Sequence, residues 1–235
     1  MGNKRRELQQ LFHTWRKFHE SCHLDAAKFV SDGFVGEEAD YENSETKVLL
    51  LLKDPNDSGN ILKECDFDLC QLWRFPERVP EYSNRNVERT CGTWADCIQR
   101  TGCGEVADYK RSKDNFRQAL LRSAVINVKK TAGLQTVDSK LLRAHARRDQ
   151  EFILREIGIL DPNVVVCGGI FEDVANPIFQ GFRPIGKSKL CFLRNGAIWI
   201  DHQHPRLGSR WSYKVLLANY LDARCGQVAG DCTQT

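Results

Sequence analysis

The stretch KVLLLLKDPNDSGN, Lys47 to Asn60, decides the fold. Residues 47–52 are an apolar run of strand length with no polar alternation. Such a run fits a strand buried on both faces, as in a parallel sheet covered by helices on each side. The run stops on Lys53, Asp54 and Pro55. One reading is a strand ending at a loop. The other is a catalytic carboxylate at the mouth of a sheet. The remaining segments decide between them.

Working outward, SAVINV (123–128) and NVVVCG (163–168) read as two more apolar strands. KLCFL and AIWID flank Arg194-Asn195-Gly196, a hairpin turn signal. Helical spacing of Leu8, Leu11, Phe12, Trp15 and Phe18 predicts an amphipathic helix over 5–30. Residues 31–46 read as a polar loop, 114–122 as a helix and 139–160 as one long helix stopped by Asp161-Pro162. Residues 209–223 read as the closing helix, with a loose tail after Cys225. The segment 55–112, rich in Asn, Asp, Arg and Cys, is expected to form short helices and loops over one end of the sheet. Strands alternating with helices imply a single α/β domain. The expected architecture is a mainly parallel four-stranded sheet in an α/β/α sandwich.

Composition sets outer limits. The chain has 235 residues, 41% hydrophobic and 28% charged, enough for a full core. No apolar run reaches the length of a membrane span, and the N-terminal residues hold no apolar signal segment. Gly2 is followed by Arg6 where a lipidation site needs Ser or Thr. A net charge of +3, from 34 basic and 31 acidic residues, permits a nucleic-acid partner without arguing for one. The expectation is a cytoplasmic monomer with neither a membrane nor an obligate protein partner. Ten cysteines form no C-x-x-C pair. They read as free thiols, and the group Cys65, Cys70, Cys91, Cys97 and Cys103 matches no metal-ligand spacing. No metal or cofactor is therefore expected.

In an open parallel sheet, ligands bind beyond the carboxyl ends of the strands. The first strand ends at Asp54-Pro55 and the second at Asn127, followed by Lys129 and Lys130. The third ends at Gly168-Gly169, and the last runs into DHQHPRLGS with Asp201, His202 and His204. An acid, an amide, a glycine pair and a histidine should therefore share one edge. Each alone is an ordinary loop feature; their joint placement carries the weight. The two histidines are not separated by chemistry, although the proline after His204 favours it. Lys129 and Lys130 read either as a solvated pair or as phosphate contacts. Trp73 and Trp94 read as core or lid packing. His13, His19 and His23 read as surface or core-edge residues, and Asp201 as orienting a neighbouring histidine or capping the loop.

These segments resemble the uracil-DNA glycosylase superfamily. LLLLKDPND looks like its acid-proline motif, AVINVKKTAG its second segment, ILREIGILDPNVVVCGG the helix–strand–glycine segment of its smaller members, and IWIDHQHPRLGS its His-Pro motif. The four occur in the family's order, over roughly residues 45–220. The resemblance implies a glycosylase-like domain over 46–224, with 1–45 a helical segment packed on it and 225–235 a tail. It also implies roles. Asp54 would stabilise an oxocarbenium-like sugar or orient the attacking water, and Asn127 would bond the edge of a flipped-out base. His204 would stabilise negative charge on the departing pyrimidine. Phe67, with Trp73 second, would be the platform under the base. Arg206 or Leu207 would fill the gap left by the flipped nucleotide. Gly168, Gly169 and Ser209 would meet phosphates through backbone N–H groups.

The departures point to a substrate. The family's best-known members place an aromatic directly after the acid-proline pair, against C5 of the pyrimidine. Asn56 stands there instead, followed by Asp57 and Ser58. That implies a pocket open at C5, suited to a 5-substituted pyrimidine such as a hydroxymethylated or glucosylated base of phage DNA. Asn127 leaves uracil and cytosine open, because an amide can turn to match either edge. The family's serine after His-Pro is Arg206, and Lys53 precedes the acid where a small or amide residue is common. Three functions compete: a glycosylase acting on a modified pyrimidine, an ordinary uracil glycosylase of base-excision repair, and a non-catalytic DNA-binding module on the same scaffold.

Overall fold

The computed structural model describes residues 2–22, 29–54, 67–75, 85–105, 107–131 and 138–231. Helix α1, Asn3–Ser21, turns Leu8, Leu11, Trp15 and His19 inward at helical spacing. It ends earlier than periodicity suggests. Phe29 is already extended, bridging Thr131 and packing its buried ring 5.7 Å from Trp15. Two short strands, β1 (Val30–Ser31) and β2 (Gly33–Phe34), and helix α2 (Glu38–Glu42) occupy the expected polar loop.

Strand β3, Val48–Leu52, is buried along its whole length. Fully burying each such side chain contributes about 1.5–3 kcal/mol, so no polar face is left to alternate. After β4 (Phe67–Asp68) come α3 (Leu69–Arg74), α4 (Arg85–Gly102) and α5 (Tyr109–Leu121). Asp68 caps α3 by accepting from the Cys70 and Gln71 N–H groups, and Asp108 caps α5 through Arg111 N–H. Strand β5, Ala124–Asn127, follows. The expected helix over 139–160 is two helices, α6 (Ser139–Arg148) and α7 (Gln150–Leu160). The break is Asp149, whose buried carboxylate lies 3.0 Å from His19 Nε2. His19 is thus a fully buried hydrogen-bond partner rather than a surface or edge residue.

Strand β6, Val164–Gly168, leads into a π-helical turn, Phe171–Ala175, and helix α8, Asn176–Ile178. Strands β7 (Arg183–Pro184), β8 (Cys191–Arg194) and β9 (Ala197–His202) precede a 3₁₀ turn, Pro205–Leu207. Helix α9, Arg210–Asp231, closes the described chain. It continues through 225–231, where a loose tail is expected from the sequence; residues 232–235 lie outside the described residues.

The sheet is larger and more mixed than the expected four parallel strands. The described residues form a seven-stranded sheet in the order β2-β5-β3-β6-β9-β8-β7. The middle four pair in parallel; β2, β8 and β7 extend the edges in antiparallel fashion. Short antiparallel edge strands need no buried crossover, and little in their sequence distinguishes them from loop. Leu49, Leu51, Val165 and Trp199 pack on one side with α1, α6, α7 and the π-helical turn. Leu50, Val125, Val166 and Ile200 pack on the other with α3, α4, α5 and α9. Helices therefore cover both faces.

Candidate active site

The register aligns the strand ends. Leu52 pairs with Asn127, Leu51 with Cys167, and Gly168 with His202. Asn127, Leu52, Gly168 and His202 therefore form one row at the carboxyl edge. The chain leaves β3 toward β5 on one side and returns to β6 on the other, so the strand order reverses between β3 and β6. That is the point where open sheets hold ligands. Asp54 and Gly169 lie just beyond it.

Asp54 is held in a recess. Its side chain is about 10% exposed, and Nζ of Lys129 lies 3.7 Å from Oδ2. That distance is too long for a hydrogen bond, and Oδ2 has no hydrogen-bond partner among the described residues. Burial raises the carboxyl to about 6, against the opposing pull of Lys129 and Lys53. Burial in turn lowers Lys129, and Asp54 partly restores it. Nζ of Lys129 donates to the Thr131 carbonyl at 3.0 Å. Lys129 is therefore a buried neighbour of the acid, not a solvated phosphate contact.

Asn127 is buried, and Asp32 holds it. Oδ2 of Asp32 accepts from the Asn127 backbone N–H at 2.6 Å and from its side-chain amide at 3.3 Å. This removes the freedom to turn. The reversed amide would aim its carbonyl oxygen at a carboxylate, which only accepts when ionised. Asp32 is locked in turn by Lys130, which bonds it closely and lies 2.8 Å from Glu156. All three side chains are fully buried. Burial opposes the Lys130 charge, but Asp32 and Glu156 outweigh it and hold the ammonium above the ordinary lysine range. Burial and Asp32 push Glu156 well above the usual carboxyl range, against the pull of Lys130. The rings of Trp15 and Phe12 face the ammonium at 5.0 and 5.4 Å. Lys130 therefore cannot meet a phosphate; that sequence expectation is corrected. Asp32 and Glu156 are missed by sequence reading, because neither stands in a motif and their role appears only when β2, β5 and α7 meet.

The two histidines separate by environment. His202, the last residue of β9, is buried against Trp94 with ring centroids 4.6 Å apart. Its Nε2 lies 3.0 Å from Ser212 Oγ, and burial lowers it to about 4. His204 is only half-buried, in the loop beyond. Its Nδ1 accepts from the Arg206 N–H at 3.1 Å, capping the 3₁₀ turn. An accepting Nδ1 places the hydrogen of the neutral ring on Nε2. Burial, with Lys53 and Arg206, lowers this ring and keeps it neutral. His204 is thus a neutral N–H donor beside the edge. Asp201 points to the other face of β9, where burial and Glu172 raise it to about 6. It does not orient His202.

The glycine pair serves close packing. A Cβ on Gly168 would lie 2.8 Å from Leu52 Cδ2 and 3.0 Å from Pro205 Cδ. Gly169 adopts φ +70°, and its N–H donates to the His202 carbonyl at 2.6 Å. That N–H is committed to the protein rather than open to a phosphate. Ser209 accepts from the Ser212 N–H through Oγ, fixing the start of α9. Arg206 is exposed, and Leu207 and Trp211 stand out at 65% and 66% exposure. Trp211 is not among the sequence candidates; a tryptophan at the start of an amphipathic helix reads as core until the helix is placed. Phe67 pairs with Val30 through its backbone, and its side chain, like all of Asn56, lies outside the described residues. Trp73 and Trp94 are buried core residues.

Among the described cysteines, Cys70, Cys91, Cys97, Cys167 and Cys191 are buried, and burial raises each thiol. No group of three His, Cys, Asp or Glu side chains with metal-binding geometry occurs among the described residues, and no helix among them is long and apolar enough to cross a membrane. Compared with family models, curated proteins and solved structures, the chain matches none.

Proposed function

We propose that this protein is a monofunctional DNA glycosylase that hydrolyses the N-glycosidic bond of a flipped-out pyrimidine. The observation that carries the reading is that two opposite groups both stand beyond the carboxyl ends of the parallel strands. Asp54 is a buried carboxylate raised to about 6, and His204 is a neutral ring with its donor nitrogen free of the turn it caps. A base near 6 is ionised at neutral pH yet still basic enough to take a proton. A non-catalytic binder gains nothing from a buried carboxylate whose Oδ2 has no hydrogen-bond partner among the described residues, since such burial costs stability.

In this reading, water attacks C1′ as the bond from C1′ to the base nitrogen breaks. The electron pair leaves with the base. Asp54 first stabilises positive charge on the sugar, then takes the proton of the attacking water. The Nε2–H of His204 donates to the oxygen on which negative charge grows, as a fixed dipole aimed at developing charge. Asn127, held by Asp32, bonds the base edge. The base must leave its stack, at a cost of a few kcal/mol that these contacts offset. The substrate class follows from Asn56, Asp57 and Ser58, where a bulky wall against C5 is missing from the sequence. We assign a 5-substituted pyrimidine, with plain uracil as the second reading.

Matched oligonucleotides carrying uracil, thymine, 5-hydroxymethyluracil, cytosine, 5-hydroxymethylcytosine or its glucosylated form test this. Alkali-labile abasic sites would be read on a gel. Release of a 5-substituted base is the expected result. Release of uracil alone makes the protein a repair enzyme. No release from any substrate removes the glycosylase reading.

A further inference from the structure

A second concave site lies beside the His204 loop; it takes in Arg206 and Ser209, which the sequence resemblance casts as DNA contacts, but nothing above assigns Arg89 or Lys113. It is a cleft of about 340 Å³ between the first turns of α4, the start of α5 and the loop leading into α9. Three cations line it, one from each element: Arg89, Lys113 and Arg206. No carboxylate lines it, and among the described residues none of the three makes an ion pair. Hydroxyls of Thr90, Ser209 and Tyr109 complete its polar wall. The cleft is a built feature of the fold. Gly208 crosses α4 so closely that a Cβ there would lie 2.3 Å from the Thr90 side chain. The guanidinium of Arg89 is braced over the Phe116 ring, 5.5 Å from its centre.

The three side chains are exposed, so water screens their mutual repulsion, and an anion seated in the cleft would meet all three. Forked and point-charge donors with hydroxyls suit a tetrahedral oxyanion. We propose that this cleft is a phosphate-binding site. The proposal stands on the chemistry of the cleft. Its assignment to a backbone phosphate of the strand entering the His204 loop rests on the glycosylase reading. Arg206 belongs to both the cleft and that loop, so the bound phosphate would set the loop's position on the strand. Phosphate contacts of this kind fix register and carry no base information.

The test uses the full chain carrying Asp54→Asn, so that no substrate turns over, and compares it with the same chain carrying Arg89→Gln and Lys113→Gln. Thermal unfolding first establishes that both are folded. Binding of a fluorescent oligonucleotide is then measured against salt. Loss of one strand phosphate contact lowers the slope of log K against log salt by about 1 and weakens binding about tenfold at low salt. A methylphosphonate placed at each position in turn should weaken the first chain at one position and leave the double variant indifferent there. Arg89→Lys should keep most of the affinity. If oligonucleotide binding is unchanged but inorganic phosphate or a nucleoside monophosphate binds only the chain with Arg89 and Lys113, the oxyanion site holds and its ligand is a small phosphate compound. If neither the oligonucleotide nor the small phosphates distinguish the two chains, the proposal is overturned. These are binding readouts, so failure to release any base leaves them unaffected.

Discussion

The ammonium of Lys129 stands 3.7 Å from Oδ2 of Asp54, close enough to act as a charge and too far to act as a hydrogen-bond donor. The acid therefore feels a neighbour that lowers its proton affinity without occupying its lone pairs. Among the described residues nothing hydrogen-bonds Oδ2.

Replacing that charge should move the pH dependence. Burial holds Asp54 near 6, with Lys129 the larger opposing influence. In Lys129→Gln the opposing pull is gone, so the carboxyl rises further. The acid limb of base release, expected near pH 6 in the parent, should shift to higher pH by about 0.5–1 unit. Single-turnover rates from pH 5 to 9 check this. An unmoved limb would mean that a group other than Asp54 sets it.

Asp54→Asn should abolish base release and also stabilise the fold. The sign follows from the raised acid. Its folded value, about 6, lies above the ordinary 3.8, so the ionised form is penalised in the folded state. The parent is favoured below pH 4 and loses that advantage as pH rises through 6. The amide carries no such penalty. Denaturant unfolding should show the variant gaining up to about 3 kcal/mol on the parent at pH 8, and little at pH 4.

The buried cluster behind Asn127 should matter twice. Removing one member of a buried ion pair costs about 3–5 kcal/mol, so Lys130→Met should unfold at markedly lower denaturant than the parent. Asp32→Asn should cost less, because the amide still accepts a hydrogen bond, but it frees the Asn127 amide to turn. The ratio of kcat/KM for uracil-type over cytosine-type bases should then move toward one. A ratio that stays put while stability falls would make Asp32 a purely structural residue.

The histidines should part company. His204→Gln removes the neutral ring donor and should slow base release about 10²-fold or more with stability little changed. His202→Gln removes a buried ring packed on Trp94 and bonded to Ser212. It should chiefly lower the unfolding midpoint, by about 1–3 kcal/mol. Gly169→Ala puts a side chain at φ +70° and 3.0 Å from His204 N. It should cost about 1–3 kcal/mol and displace His204, so activity falls with stability.

Much of this was legible in residue order. An unbroken apolar run can only be buried on both faces, so β3, β5, β6 and β9 and the residues at their ends followed from pattern. Asp54, Asn127 and His204 share an edge because three parallel strands must end together. Other parts were hidden. Helix α4 carries Val87, Cys91, Trp94 and Ile98 at helical spacing and runs 18 residues, where the segment's Asn, Asp, Arg and Cys content reads as short helices and loops. Gly92 is there so that α4 can press against α5, where a Cβ would lie 2.3 Å from the Phe116 carbonyl oxygen. The break at Asp149 depends on His19, 130 residues away. The burial of Lys130 depends on two acids on other elements. Periodicity along one segment holds no information about such distant partners.

The cluster of Asp32, Lys130 and Glu156 has a consequence for how this protein can change over time. Any one of these residues altered alone strands a charge or a lone pair in the core, while all three replaced by apolar groups of similar volume would leave no charge stranded and would orphan only the Asn127 donors that Asp32 now accepts. Positions 32, 130 and 156 are therefore joined in inheritance: among relatives they should be kept together or exchanged together. Where they are exchanged, position 127 loses its anchor, and the base preference should drift with them.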